Sequence, residues 1–340
     1  MAVTIKDVAL KAGVSPSTVS RTCNNHPSIS DETKERVRRA MAELGYEPNF
    51  SSSATASATN IKTIGIVLPP SAKEAYENSF YLEAIRGISS FCNQKQYANT
   101  IITGNTDEEL LAVIQSMYKS GQADGFILLY SRMDDPITNY LYNEGLLYVL
   151  IGKAIQYTNQ TIYVDNDNLH AGQEATEYLI QKGHRKIAYI GQDFNLNFSS
   201  DRKSGYQLAL VDNNIPLNSD YCVEIPQHAK HPADLMRKLL DREDRPTAIV
   251  VCDDILAFTL KHVCMELNLS IPQDLSIVSF NNSIIARLAS PMLTSIDINS
   301  FQLGIEAASQ AINHIENPNL MATKIIVPHH LVERSSCREI

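Results

Sequence analysis

From Thr63 onward the chain alternates short apolar runs with longer helical stretches, and it does so in two series. TIGIVLP, NTIITG, DGFILLY and LYVLIG form the strands of the first, with YLEAIRGISSFCNQ, EELLAVIQSMYKSG and PITNYLYNEG between them. TIYVDN, KIAYIG, TAIVVCDD and LSIVSF form the second, spaced by AGQEATEYLIQKG, a helix near 201–213 and ILAFTLKHVCMEL. Apolar runs of this length read as strands buried on both faces, so the alternation predicts βαβ units and parallel sheets. Two series of about five units each predict two similar α/β lobes. In doubly wound lobes a ligand sits at the carboxyl ends of the strands, so two facing lobes would bind one in the cleft between them. The 44% hydrophobic content is enough to fill both cores.

The first sixty residues have a different style. Thr4 and Asp7 form a capping box, the helix Ile5–Ala12 follows, and Gly13 ends it. Ser15 caps a second helix with Pro16 in its first turn, where no helical amide is lost. GVS is then the turn of a helix-turn-helix and PSTVSR opens the second helix. Val19 and Cys23 share its inward face, which leaves Ser17, Ser20, Arg21 and Asn24 on a small polar face carrying one long cation. Such a face suits the major groove of DNA, although an ordinary surface helix has the same pattern. A third helix starts at Ser30, with Asp31 and Glu32 in its first turn, an apolar stripe of Val37, Met41 and Leu44, and Gly45 at its end. Residues 1–60 carry seven Lys/Arg and six Asp/Glu, against a net charge of −9 for the whole chain. DNA binding, if present, therefore belongs to the head and not to the acidic body.

In the body, polar residues gather in the loops after the strands: Asn78 and Phe80, Lys153, Asp165 to Asn168, Asp201 and Arg202, Asp253, Asn281 and Asn282. Singly, each has a bland reading: Asp165 or Asp254 as a helix cap, Arg202 in a surface ion pair. Together they offer the paired donors and acceptors that sugar hydroxyls need, and Phe80 or a tyrosine offers a face for a pyranose ring.

TIKDVALKAGVSPSTVSR followed by SISDETKERVRRAMAELGYEPN resembles the DNA-binding headpiece of the LacI family of bacterial repressors. VDNDNxxAG (164–172), DRKSGY (201–206), TAIVVCDD (247–254), LSIVSFNNS (275–283) and PMLTSIDI (291–298) resemble that family's sensor core. The resemblance implies an α/β chain with an all-α three-helix helix-turn-helix headpiece (1–47), a hinge (48–61) and a two-lobed periplasmic-binding-protein-like core with parallel sheets (62–340). Its N-lobe would take about 62–160 and 292–322, and its C-lobe about 161–291 and 323–340. It implies that Pro16, Ser17 and Arg21 read bases and that Ser15, Thr18, Ser20 and Asn24 hold phosphates, with Thr4, Ser30 and Thr33 completing the DNA-facing set. It implies effector contacts from Arg202, Asp253 and Asn281, within a site drawing also on Asn78, Phe80, Lys153, Asp165 and Asn166. Where the family usually has Asp, this chain has Asn281. IGK, DNDN and FNNS are most similar to the maltose-operon repressors of low-GC Gram-positive bacteria, which implies maltose or a related α-glucoside as effector and no cofactor. The family hinge typically reads Ala-Arg-x-Leu, its leucine wedging into the minor groove. Here Ser52, Ser53 and Thr55 stand at the matching places, and no Lys or Arg occurs between Arg39 and Lys62. That composition predicts a flexible linker and weaker operator binding than the family norm.

Enzymatic signatures are missing. There is no GxxxxGK[ST], GxGxxG or GxSxG. His170, His184, His228, His231 and His262 lack zinc spacing, and the pair at 329–330 is isolated. Six scattered cysteines (23, 92, 222, 252, 264, 337) form no CxxC and are expected to be reduced thiols in a cytoplasmic protein. No apolar run approaches the ~18–20 residues of a membrane span. The stretch Ile296–Ile315 carries no Lys or Arg, which argues against a phosphorylated protein as corepressor. A purine effector in place of a sugar is not decided by these residues. The chain ends without a heptad repeat, so the family's dimer is expected, reading a pseudo-palindromic double-stranded operator.

Overall fold

A computed structural model describes residues 3–23, 29–46, 61–70, 78–194, 196–226, 229 and 231–340. The chain divides into two compact units. Unit 1 comprises 1–77, 81–164 and 301–325; unit 2 comprises 78–80, 165–300 and 326–340. The chain thus returns from unit 2 to unit 1 at 300–301, later than the expected boundary near 292, and passes to unit 2 again at 325–326. The reason is strand pairing: Thr294–Asp297 lies parallel to the preceding strand of unit 2 and cannot leave it.

Unit 1 begins with three helices, α1 (Ile5–Ala12), α2 (Pro16–Cys23) and α3 (Asp31–Leu44). The capping box is present: the Asp7 carboxylate accepts the Thr4 N–H at 2.8 Å and the Thr4 hydroxyl at 2.7 Å. Gly13 and Gly45 close α1 and α3 at positive φ, where a side chain is costly. Ile5, Val8, Ala9, Ala12, Val19, Val37 and Ala40 form the small shared core. Thr22 is buried and donates its hydroxyl to the Thr18 carbonyl at 2.9 Å.

The sheet of unit 1 has the order β11-β5-β4-β3-β1-β2, built from β1 (Thr63–Val67), β2 (Ala98–Ile102), β3 (Gly125–Leu128), β4 (Tyr148–Ile151), β5 (Ile162–Asp165) and β11 (Lys324–Ile326). β1 pairs in parallel with both β2 and β3, and the parallel ladder continues to β4 and β5. The helices are α4 (Ser79–Gln94), α5 (Asp107–Lys119), α6 (Pro136–Asn143) and α12 (Ser300–Glu316). β1, β3 and β4 are nearly all buried, as their unbroken apolar runs require.

Unit 2 repeats the plan in the order β12-β10-β9-β8-β6-β7. Its strands are β6 (Ile187–Gln192), β7 (Cys222–Ile225), β8 (Ala248–Val251), β9 (Ser276–Phe280), β10 (Thr294–Asp297) and β12 (His330–Val332). Its helices are α7 (Asn168–Gln181), α8 (Asn197–Asp212), α9 (Pro232–Leu240), α10 (Asp254–Glu266) and α11 (Ile284–Leu288). The pairs are parallel except β10 with β12. The strand order turns between β6 and β8, and the carboxyl ends of those two strands are therefore the place for a ligand. Among the described residues no helix is long and apolar enough to cross a membrane.

Candidate functional site

The switch point of unit 2 brings a compact polar set together. β6 ends at Gln192, whose side-chain amide donates to Asp253 Oδ2 at 2.6 Å across the strand reversal. Asp253 follows β8 and caps α10, accepting the Leu256 N–H at 2.7 Å. Its carboxylate is 2% exposed, and that burial, with Asp254 beside it, pushes its pKa up to about 6 against the pull of the Leu256 N–H and Arg202. Asp254 turns the other way. It accepts from the Ser279 hydroxyl at 2.5 Å, the Ser283 N–H at 2.7 Å and the Ser295 hydroxyl at 3.0 Å, so it ties the turn after β9 to β10.

Arg202 projects from α8 and is 3% exposed. Its Nε donates to Asn168 Oδ1 at 2.9 Å and its Nη1 to the Cys252 carbonyl at 2.7 Å. The guanidinium carbon lies 4.2 Å from the Phe280 ring centroid and 5.1 Å from that of Phe198. Burial lowers its pKa, yet an arginine stays charged in any such setting. The position depends on glycine. A Cβ on Gly172 of α7 would lie 2.2 Å from the Arg202 carbonyl oxygen, and one on Gly205 would lie 1.9 Å from that of Leu169. α7 and α8 approach this closely because both glycines lack a side chain.

The other candidate effector residues are placed as follows. Asp165 Oδ1 accepts the Asn166 N–H at 2.8 Å and Asn168 Nδ2 at 3.0 Å, while the cap of α7 is Asp167. Asn166 is buried, and its amide donates to the Ile298 and Val327 carbonyls at 3.0 and 2.9 Å, which binds it to the ends of the segments that join the units. Asn281 stands after β9 at φ 95°, a left-handed backbone that asparagine tolerates better than most residues. Its side-chain amide makes no hydrogen bond among the described residues. Asn78 accepts the Phe80 N–H at 3.0 Å, and this short segment groups with unit 2. Lys153 belongs to unit 1, where its carbonyl accepts the Ser131 hydroxyl at 2.6 Å. Gln192 and Phe198 were not singled out in the sequence. The signal for Phe198 was its spacing: four residues before Arg202, it shares that residue's face of α8.

In the headpiece, Ser15 caps α2 by accepting the Thr18 N–H at 3.1 Å, and Ser30 caps α3 through the Thr33 N–H at 3.3 Å. Thr4, Ser15 and Ser30 are exposed; Pro16, Ser17, Arg21 and Thr33 are half-buried; Thr18 and Ser20 are buried. The burial arises because this side of α2 rests on the lobe of unit 1. Ser20 Oγ lies 3.4 Å from Tyr118 Oη, and Lys6 Nζ lies 4.3 Å from the Tyr142 ring centroid. Arg21 is pushed down to about 10 by the same burial. A cavity of about 540 Å³ opens between Pro16, Arg21, Thr33 and Tyr142, and it contains none of the candidate effector residues. Asn24 and the hinge, with Ser52, Ser53 and Thr55, lie outside the described residues, as does His228.

Comparison with known proteins places both halves. Residues 4–49 match the model of bacterial regulatory proteins of the lacI family, and residues 176–337 match a periplasmic binding protein-like domain. The HTH-type transcriptional regulator MalR of Staphylococcus xylosus is 35% identical, covering 99% of this chain and 99% of its own length. A solved LacI-type transcriptional regulator from Bacillus cereus subsp. cytotoxis superposes with TM-score 0.79 and 38% identity, over 82% of this chain and 99% of that one. A complex of the transcriptional regulator CelR with cellobiose superposes with TM-score 0.77 and 27% identity, over 98% of this chain and 100% of the other.

Proposed function

We propose that this chain, which belongs to the lacI family of bacterial regulatory proteins, represses sugar-use genes and is released from its operator by a neutral α-glucoside, maltose foremost. Membership makes it a DNA-binding transcriptional regulator and not an enzyme. The finer reading rests on the set at the unit 2 switch point. Asp253, Gln192 and Arg202 are donors and acceptors held by hydrogen bonds around one strand reversal, and Asn281 follows the neighbouring strand β9 with its amide uncommitted among the described residues. A polar set of both senses suits vicinal hydroxyls, which donate and accept at once. A buried carboxylate there disfavours an anionic ligand. The names of similar proteins support a glucose disaccharide: one solved structure is a probable maltose operon transcriptional repressor, and another is CelR in complex with cellobiose, a β-linked relative of maltose.

The active form in this reading is a homodimer on a pseudo-palindromic double-stranded operator. α10 and α11 pack together and expose Phe258, Met265, Ile284 and Leu288, an apolar surface that a second subunit would cover. Pro16, Ser17 and Arg21 read bases from α2, which requires that face to leave the lobe of unit 1. The effector acts by linkage: it binds more tightly to the conformation that docks poorly on DNA. Asn78, Phe80 and Asp165, all of unit 2, complete its part of the site, and Asn166 supports it by bonding backbone carbonyls.

The test is fluorescence anisotropy of a labelled operator, selected from random duplexes by this protein, titrated at one salt concentration with and without maltose. Salt is held because phosphate contacts make affinity steeply salt-dependent. Binding that maltose weakens is the expected result. Binding that maltose leaves unchanged while cellobiose weakens it replaces the effector, and binding indifferent to every sugar overturns the effector half.

A further inference from the structure

The outer face of α2 is covered, and what covers it is the lobe of the same unit. Val19 turns inward to the headpiece core, so Ser20, on the polar side of the helix, belongs in solvent. It is 7% exposed instead, with its Oγ 3.4 Å from Tyr118 Oη of α5. Two further contacts lie beside that one. A Cβ on Gly145, in the turn after α6, would stand 2.6 Å from the Pro16 carbonyl oxygen at the start of α2. Tyr142 and Tyr157 stack with ring centroids 3.6 Å apart and planes 11° from parallel, and Lys6 Nζ of α1 lies 4.3 and 5.3 Å from their centroids. This contact is not a core. The apolar cluster of the headpiece is drawn from residues 3–46 and the lobe cluster that carries Tyr118 and Tyr142 from 67–163, and neither includes a residue of the other. The cavity of about 540 Å³ lies in the seam, lined by Ser15 and Thr33 on one side and by Tyr142 and Gln160 on the other. A protein interior leaves few voids larger than a water molecule, so a seam with such a void can open without breaking either fold.

We infer that the face formed by Tyr118, Tyr142, Gly145 and Tyr157 is a docking surface for the chain's own headpiece, and that it holds the chain in a closed state unable to bind DNA. This rests on the reading that α2 meets the operator. A recognition helix enters the major groove by its outer face. The lobe already touches Pro16 and Ser20 there, so DNA and lobe exclude each other. The chemistry of the surface fits this occupant: ring faces attract the Lys6 cation, a phenol meets the Ser20 hydroxyl, and glycine leaves room for the Pro16 backbone. Closed and open states follow, and apparent operator affinity is the intrinsic affinity multiplied by the open fraction. An open fraction of about one tenth makes binding about tenfold weaker than the headpiece itself allows. Whatever favours the open state then raises operator affinity without altering a DNA-facing residue.

The test is operator anisotropy at fixed salt on the full chain, with every substitution placed on the lobe. Gly145 stands at φ 64°, a backbone that asparagine tolerates, so Gly145→Asn keeps the turn and puts a side chain into the seam. It is expected to tighten operator binding about tenfold. Tyr142→Leu keeps apolar bulk, removes the ring beside Lys6, and is expected to tighten binding about threefold. General damage to a fold does not produce such a gain, and melting temperatures identify any variant that is not folded. If Gly145→Asn fails in that way, Tyr142→Leu and Tyr118→Phe carry the test. Hydrogen exchange of the unsubstituted chain gives an independent reading: operator is expected to speed exchange at residues 143–147, which lose their cover. Equal or weaker operator affinity in the folded variants, or exchange at 143–147 that operator leaves unchanged, overturns the docking surface and leaves α2 as the DNA reader. Binding seen only in Gly145→Asn supports the closed state in its strongest form. Parent and variants that all bind no duplex overturn the reading of α2 itself.

Discussion

Arg202 is locked by two hydrogen bonds to groups that have no water to turn to, Asn168 Oδ1 and the Cys252 carbonyl. Lysine cannot reach both at once, because it lacks the planar fork. Arg202→Lys is expected to lower stability by roughly 1–3 kcal/mol through the stranded acceptor, and to weaken the effector by at least about tenfold; thermal melting and calorimetry on the same sample separate the two effects. Asp253 makes a different prediction. Its pKa in the folded chain is about 6, above the usual carboxylate value of 3.8. The folded state therefore holds the proton more tightly than the unfolded one, and stability falls as pH rises through that window. Keeping the group ionised at pH 7 costs on the order of 2–3 kcal/mol. Asparagine keeps the cap and carries no charge. The melting temperature of Asp253→Asn minus that of the parent is expected to grow from pH 4 to about 6.5 and then level off; a difference flat across that range would mean the buried carboxylate is not strained.

At the scale of elements, two close helix crossings stand out. In unit 1, α4 and α12 meet where Cβ atoms on Gly87 and Gly304 would lie 2.1 Å from the carbonyl oxygens of Phe301 and Ala84. In unit 2 the α7–α8 crossing bears directly on the site. Gly205→Ala is expected to force the helices apart, cost about 1–3 kcal/mol and displace Arg202; loss of maltose binding beyond what the melting temperature explains would register that displacement. In the headpiece, Arg21→Ala is expected to relax discrimination at one base step by roughly 1–3 kcal/mol, measured by competition between operator variants. The elements that the sequence revealed are those with one dominant signal. β3, β4 and β8 are unbroken apolar runs, β1, β6 and β9 are nearly so, and α1 and α3 carry both caps. β7 was not read because CVEI is an edge strand, mostly half-exposed, with a charge in it. β11 and β12 are three residues each and owe their state to the sheet they join. The site divides similarly. Arg202 and Asp253 were visible as polar residues after strands, whereas Gln192 gained its role only when strand order placed β6 beside β8.

At the scale of the molecule, the headpiece helices of unit 1 are joined to the acidic remainder of the chain by a segment poor in both cations and large apolar residues. On the proposed reading, operator affinity is expected to draw less on the hinge than on α2 and its phosphate contacts. Thr55→Leu restores a wedge at the matching position and is expected to tighten operator binding several-fold, measured by anisotropy at fixed salt; an unchanged affinity would mean that the missing wedge is not what limits binding. The α7–α8 crossing has a final consequence for anyone who would build chimaeras from this chain. Two helices that touch backbone to backbone have no side chains with which to absorb a foreign partner. A graft of α8 into another regulator must therefore bring α7 with it, Gly172 matched to Gly205. If the proposed site is right, the unit of inheritance for effector choice is a helix pair, not a handful of pocket residues.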